Sequence, residues 1–172
     1  MAGTKQEQQS YSWYPVYTRP RAEKKALQAL ESRGIECYLP LQRQLKQWSD
    51  RKKWVEEPLI RSYLFVRIAA RDQPAVLMTP GISRFIYFGG KVAVMPERQI
   101  RDLKLLMASA LELEVTEEHL QPGEKIRIKA GPLRGMTGEI ISYRSQKLLA
   151  LRLEGLGCSV VIHVAASLIS RF

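Results

Sequence analysis

The stretch that most restricts the fold is IKAGPLRGMTGEI, Ile128 to Ile140, with three glycines, a proline and two cations in thirteen residues. A phosphate-binding loop is the first chemistry to test, because glycines let backbone N–H groups wrap a phosphate ahead of a Lys-Ser/Thr pair and a helix. Here Glu139 follows the last glycine, and the chain continues EIISYRSQKLLALRL, β-branched and apolar with a turn-like break at Tyr143 to Lys147. That pattern is a hairpin, with no helix to complete a phosphate site. Gly131 and Gly138 are read as positions whose backbone conformation a side chain would obstruct.

The remaining elements are short and punctuated. WYPVY, Trp13 to Tyr17, alternates as a strand with Trp13, Pro15 and Tyr17 on one face. Pro15 has no N–H, so this strand either lies at a sheet edge there or leaves that position unpaired. PRAEKKALQALESR places Ala22, Ala26, Ala29 and Leu30 at helical spacing, with Gly34 where a left-handed cap belongs. IECYLPLQRQLKQW and RKKWVEEPLIRSYLFVRI read as strands joined at Ser49-Asp50 into a projecting hairpin with a cationic tip, Arg51, Lys52 and Lys53. In RSYLFVRI, Tyr63 and Phe65 share one face and Leu64 and Val66 the other. DQPAVLM predicts a short helix, ISRFIYFGG and KVAVMP two β segments, and Pro96 opens a helix with Ile100, Leu103, Met107 and Ala110 on one side. After Pro122-Gly123, the strands GEKIRIK, GMTGEIISY, KLLALRLEG and CSVVIHV suggest a small SH3-like barrel that the tail ASLISRF could close.

Composition narrows the function classes. The 172 residues are 45% hydrophobic and 26% charged, ordinary for a globular protein. No apolar run reaches the roughly 20 residues that span a bilayer, and MAGTKQEQQS lacks a signal-peptide core, so a cytoplasmic location is expected. Cys37 and Cys158 are isolated, and with His119 and His163 they make no usual zinc pattern. No clustered acid, thiol or serine arrangement suggests catalysis, so neither enzyme activity nor a cofactor is expected. The net charge of +10 favours a polyanionic partner. Residues 1–108 carry 19 basic and 10 acidic groups, 109–120 none and 4, and 121–172 8 and 3, so two basic regions flank an acidic connector.

Two patterns meet in this chain. GEKIRIKAGPLRGMTGEI resembles the KOW motif of ribosomal proteins and NusG-family elongation factors. Upstream, WYPVYTRPRAEKKALQALESRGIECYLP, RSYLFVR, TPGISRFIYFGG and VMPERQI resemble the NusG amino-terminal domain in the family's order, so the resemblance covers residues 12–172. The hairpin and the FGG after ISRFIY lean toward specialised antiterminators of the RfaH and UpxY kind. The implied fold is α+β, with a NusG-type domain at 11–110 (an antiparallel sheet flanked by helices), an acidic linker at 111–120 and an SH3-like β-barrel KOW domain at 121–172.

The resemblance implies a monomer that rides on RNA polymerase, suppresses pausing and passes terminators, without catalysis. Its polymerase contact, the clamp helices of the largest subunit, maps onto Pro15, Tyr17, Tyr63 and Phe65, while Trp13 belongs either to that patch or to the core. Aromatic stripes at this spacing also mark packed cores, and both readings stand at this stage. Arg19, Arg21, Lys25, Arg71 and Arg84, beside the patch, are candidates for the displaced non-template DNA strand, as are Arg51, Lys52 and Lys53 on the hairpin. A merely solvated basic face is the plain alternative. For the second domain the family implies ribosomal protein S10 as a partner, and its β-branched Val160 to Val164 favours a barrel over a helical form. An RNA-binding or ribosome-associated KOW protein is the competing reading.

Overall fold

The computed structural model describes residues 10–153 and 155–172. From the amino-terminal side, strand β1 (Tyr11–Thr18) leads to helix α1 (Glu23–Ser32), then β2 (Glu36–Tyr38), a hairpin of β3 (Leu41–Gln47) and β4 (Lys52–Pro58), and β5 (Tyr63–Ala69). A short helix α2 (Gln73–Leu77), strand β6 (Ile82–Phe85), a small hairpin of β7 (Tyr87–Phe88) and β8 (Lys91–Val92), and helix α3 (Glu97–Ala108) follow. The remainder is all strand apart from one 3-10 turn: β9 (Leu113–Thr116), β10 (Glu124–Ile128), β11 (Thr137–Tyr143), β12 (Gln146–Leu153), β13 (Cys158–Ile162) and β14 (Ile169–Arg171). The chain divides into two compact units, one reaching Leu39 and resuming over Ser62–Val94, the other comprising Pro40–Arg61 and Met95–Phe172.

The first unit is built on an antiparallel sheet of order β2-β5-β1-β6. Alternation puts Tyr14, Val16, Leu64, Val66 and Phe85 on one face, all buried, with Tyr14 and Phe85 rings edge to face at 5.9 Å. Helix α1 packs on β2 and β5 and contributes the fully buried Ala26 and Leu30. Leu30 alone is worth about 2 kcal/mol of burial. The helix begins at Glu23 rather than at the expected Pro20, because Arg21 sits at φ 61°, outside the helical region. Pro15 lies in an interior strand. Its carbonyl accepts from Ile86 N–H at 3.4 Å just beyond the end of β6, so the missing N–H falls where that ladder stops.

The second unit contains a six-stranded antiparallel sheet of order β14-β10-β11-β12-β13-β9. The predicted acidic connector is partly strand, since Leu113–Thr116 pairs with β13 from Leu113 opposite Ile162 to Thr116 opposite Ser159. Its alternating Leu113 and Val115 can join a sheet, and its acids find partners: Glu114 accepts from Tyr143 OH at 2.9 Å and from Arg144 at 3.0 Å. The tail contributes β14, which pairs with β10 at the opposite edge of the sheet. In the opening motif, Gly131 does adopt φ 82° in the turn. Gly138 lacks a positive φ; space excludes a side chain there, because a Cβ would lie 2.8 Å from the Ala150 carbonyl oxygen on β12.

Helix α3 buries Gln99, Ile100, Asp102, Leu103 and Leu106, a face turned from the one expected. Met107 is only partly covered and Ala110 lies beyond the helix end. Gln99 Nε2 donates to the Arg152 carbonyl on β12 at 3.0 Å, tying the helix to the second sheet.

Candidate interaction surface

The end of the first sheet where β1 stops and β5 starts is unusually constrained. Ser62, just before β5, sits at φ 63°, a left-handed conformation that a non-glycine residue holds only when its surroundings fix it. Both of its backbone groups are engaged, its N–H donating to Glu23 Oε1 at 2.8 Å and its carbonyl accepting from Thr18 N–H at 2.8 Å. Arg19 N–H donates to the Gly81 carbonyl at 2.9 Å, and Ala22 N–H to Arg19 at 3.0 Å. Gly81, at φ 89°, lies so close to α1 that a Cβ would meet those of Ala22 and Ala26 at 3.3 Å.

This corner fixes the side chains around it. Tyr17 and Tyr63 face each other across β1 and β5, rings edge to face with centroids 5.4 Å apart. Arg84 on β6 lies opposite Tyr17, with its guanidinium carbon 5.3 Å from the ring centroid. The pairing shifts register between Tyr17 and Thr18, a bulge of the kind that re-aims side chains at a sheet end. Arg19, Arg21 and Arg84 are exposed and Tyr17 and Tyr63 half-buried, with Arg84 placed directly against the Tyr17 ring and Arg19 and Arg21 following β1 in the chain. Such a patch can offer flat, amphipathic rings to a partner and positive charge to a phosphate backbone.

The expected aromatic surface is smaller than its sequence pattern. Trp13, Pro15, Tyr17, Tyr63 and Phe65 do share one face, since Pro15 lies opposite Phe65 and Tyr17 opposite Tyr63. Phe65 is completely buried at 0% exposure, and Trp13 at 2% and Pro15 are buried as well. Only Tyr17 and Tyr63 remain accessible, because alternation assigns a face but cannot say how deeply each position is covered. The basic set also divides. Arg71 follows the far end of β5, whose seven residues rise about 3.3 Å each, so it lies roughly 20 Å from the Tyr63 end, next to Asp72. Lys25 is exposed near the start of α1.

Arg51, Lys52 and Lys53 occupy the tip of the β3–β4 hairpin in the second unit, and sequence reasoning missed their neighbours. Leu45 and Trp54 stand directly opposite one another and are 50% and 56% exposed, while Trp48 at the turn is 44% exposed. The Arg43 guanidinium lies 5.4 Å from the Trp54 ring centroid. The signal was present in QLKQW and RKKWVEE, where each tryptophan stands among cations on strands too polar to build a core.

The family model described as transcription termination factor nusG matches residues 11–104, more than half of the chain. The chain belongs to the NusG family. Transcription termination/antitermination protein NusG of Staphylococcus aureus, in strains Mu50 and N315 alike, is 24% identical over 150 residues, covering 78% of this chain and 81% of the relative. A solved structure of NusG from Thermotoga maritima, described for its domain interaction, aligns over 95% of this chain and 98% of its own with a TM-score of 0.54 at 18% identity, a likeness of fold. This member of the NusG family is therefore of the transcription termination/antitermination class.

A cleft of about 620 Å³ lined by Tyr11, Arg33, Glu36, Arg67 and Asp72 has its cations engaged, Arg67 with Glu36 at 3.2 Å and Arg33 with the Ala75 carbonyl at 2.9 Å. Burial pushes the Cys37 and Cys158 thiols up to about 11, with nearby Glu31 and Glu36 adding to the first and Glu117 to the second, so both stay protonated and unreactive at neutral pH. Among the described residues no group of three or more His, Cys, Asp or Glu stands together as metal ligands, and no helix is long and apolar enough to cross a membrane.

Proposed function

We propose that this chain is a transcription elongation factor and antiterminator that docks on the clamp helices of RNA polymerase, suppresses pausing and termination, and serves particular operons. The observation that carries the reading is the constrained corner of the first sheet, where the tyrosine pair and three cations stand on the part of the chain that matches the family. Tyr17 and Tyr63 anchor a clamp helix, and Trp13, Pro15 and Phe65, buried further along the same face, hold the strands that carry them. Arg19, Arg21 and Arg84 meet the displaced non-template strand, with Lys25 at the margin. Held across the cleft, the protein favours the closed clamp, and a pause is suppressed as a population shift without bond chemistry. The six-stranded sheet of the second unit serves as the KOW domain, an SH3-like barrel, with ribosomal protein S10 as its partner.

The test is run-off transcription through a terminator with and without the protein, alongside retention on immobilised polymerase. Read-through should rise with the parent protein, and Tyr63→Ala should weaken polymerase binding by about 2 kcal/mol, the scale of a central interface anchor. Unchanged retention of the Tyr17→Ala, Tyr63→Ala double variant would remove the docking assignment. Binding to structured RNA with no retention on polymerase would favour the ribosome-associated alternative.

A further inference from the structure

The β3–β4 hairpin is a two-stranded sheet whose distal end carries large apolar side chains. Exposed tryptophans are costly to leave in water, and their presence on a two-stranded ribbon asks what covers them. Leu45 and Trp54 form one cross-strand pair, Lys52 projects to the same face two residues before Trp54, and Arg43 lies against the Trp54 ring. On the opposite face Lys46 and Lys53 are paired across the strands, an arrangement that like charges disfavour. Lys46 is neutralised by Glu57. Arg51, Lys52 and Lys53 have no acidic partner among the described residues. The ten residues from Leu45 to Trp54 hold four cations and one acid, a balance of +3.

We infer that the hairpin tip is a binding site for an unpaired nucleic-acid strand, with Trp54 and Trp48 stacking on its bases and Arg51, Lys52 and Lys53 holding its phosphates. The charge selects a polyanion. A protein partner would need a broad apolar centre, and here the Leu45–Trp54 pair and Trp48 share the ribbon end with Arg51, Lys52 and Lys53. The exposed indoles then select a single strand, because bases in a duplex are already stacked on one another while unpaired bases offer a free face. Arg43 backs the Trp54 indole, a cation–π contact that orients the ring. The site extends the nucleic-acid role assigned to the hairpin cations and is independent of polymerase docking, so either can fail while the other stands.

Tryptophan fluorescence of the full chain reads this site directly. Of three tryptophans, Trp13 is 2% exposed, whereas Trp48 and Trp54 are open on the hairpin. Titration with thymidine and uridine oligonucleotides of about 12 residues, a length that single-strand sites accommodate, should quench the emission. The tighter of the two identifies DNA or RNA as the preferred strand. Trp54→Ala should weaken binding about tenfold while Trp54→Phe, which keeps an aromatic face, retains most of it. Replacing Arg51, Lys52 and Lys53 by Gln should make the slope of log affinity against log salt shallower by about 2, near 0.7 for each phosphate contact. Binding without quenching, affinity indifferent to Trp54→Ala at unchanged far-ultraviolet spectrum, or preference for a duplex of the same length would each overturn the assignment.

Discussion

Glu139 on β11 illustrates how much one side chain can organise in the second unit. Its Oε2 accepts from Arg152 Nε at 3.1 Å and Nη2 at 3.0 Å, and from Gly123 N–H at 3.2 Å, so one carboxylate holds β12 and the entry to β10 together. Partial burial pushes its pKa up, but hydrogen bonds from Arg152 and Gly123 and the charges of Arg152 and Lys125 outweigh this and hold it below the ordinary 4.5. A carboxylate depressed in the folded state adds stability above its ordinary pKa, and that stability is lost as pH falls through the folded value. Asp102 on α3 acts in the opposite sense. Burial raises its pKa above 3.8 despite Arg101 and Arg98, so it costs stability as pH rises from 3.8 through the raised value. Comparing variants separates the two: thermal melts at neutral pH and near pH 3 should show a smaller acid loss for Arg152→Leu than for the parent. Equal losses would assign the acid sensitivity to other groups.

At the scale of elements, close approach of backbones determines what neither propensity nor charge can. Gly81 joins α2 to β6 and is pinned by its positive φ and by Ala22 and Ala26 of α1. Gly81→Ala should therefore cost about 1 to 3 kcal/mol in urea unfolding, the range for a side chain forced into a disfavoured backbone region. It should also loosen Arg19, whose N–H bonds to the Gly81 carbonyl. A variant as stable as the parent would show that the loop relaxes freely. Periodicity made α1, β1 and β5 legible in the sequence, since Ala26 and Leu30, or Tyr14 and Val16, repeat with the period of the element they bury. Strand β9 was hidden because LELEVT reads as an acidic tether until β13 supplies an edge for it to pair with. The corner at Ser62 was hidden more deeply, as serine carries no sign of a left-handed backbone and Glu23 no sign of its partner 39 residues away.

At the scale of the molecule, the strand β9 makes a prediction about where a stable six-stranded sheet begins. A fragment of residues 111–172 keeps β9 against β13, whereas 121–172 leaves the β13 edge unpaired and exposed. Both should give amide spectra dominated by β structure, with the longer fragment melting at the higher temperature; mainly helical spectra or identical melts would contradict this. The sequence by itself determined the class of elements, the hairpin around the Gly-Pro turn, the charge balance and the family, because these depend on local periodicity, turn chemistry and residue type. Only the tertiary structure decided which members of a shared face reach water. Pro15 and Phe65 are buried and Tyr17 and Tyr63 are left accessible, because coverage depends on residues distant in the chain. By the same rule Trp54, on a two-stranded ribbon, stays open where Trp13, inside a four-stranded sheet, does not.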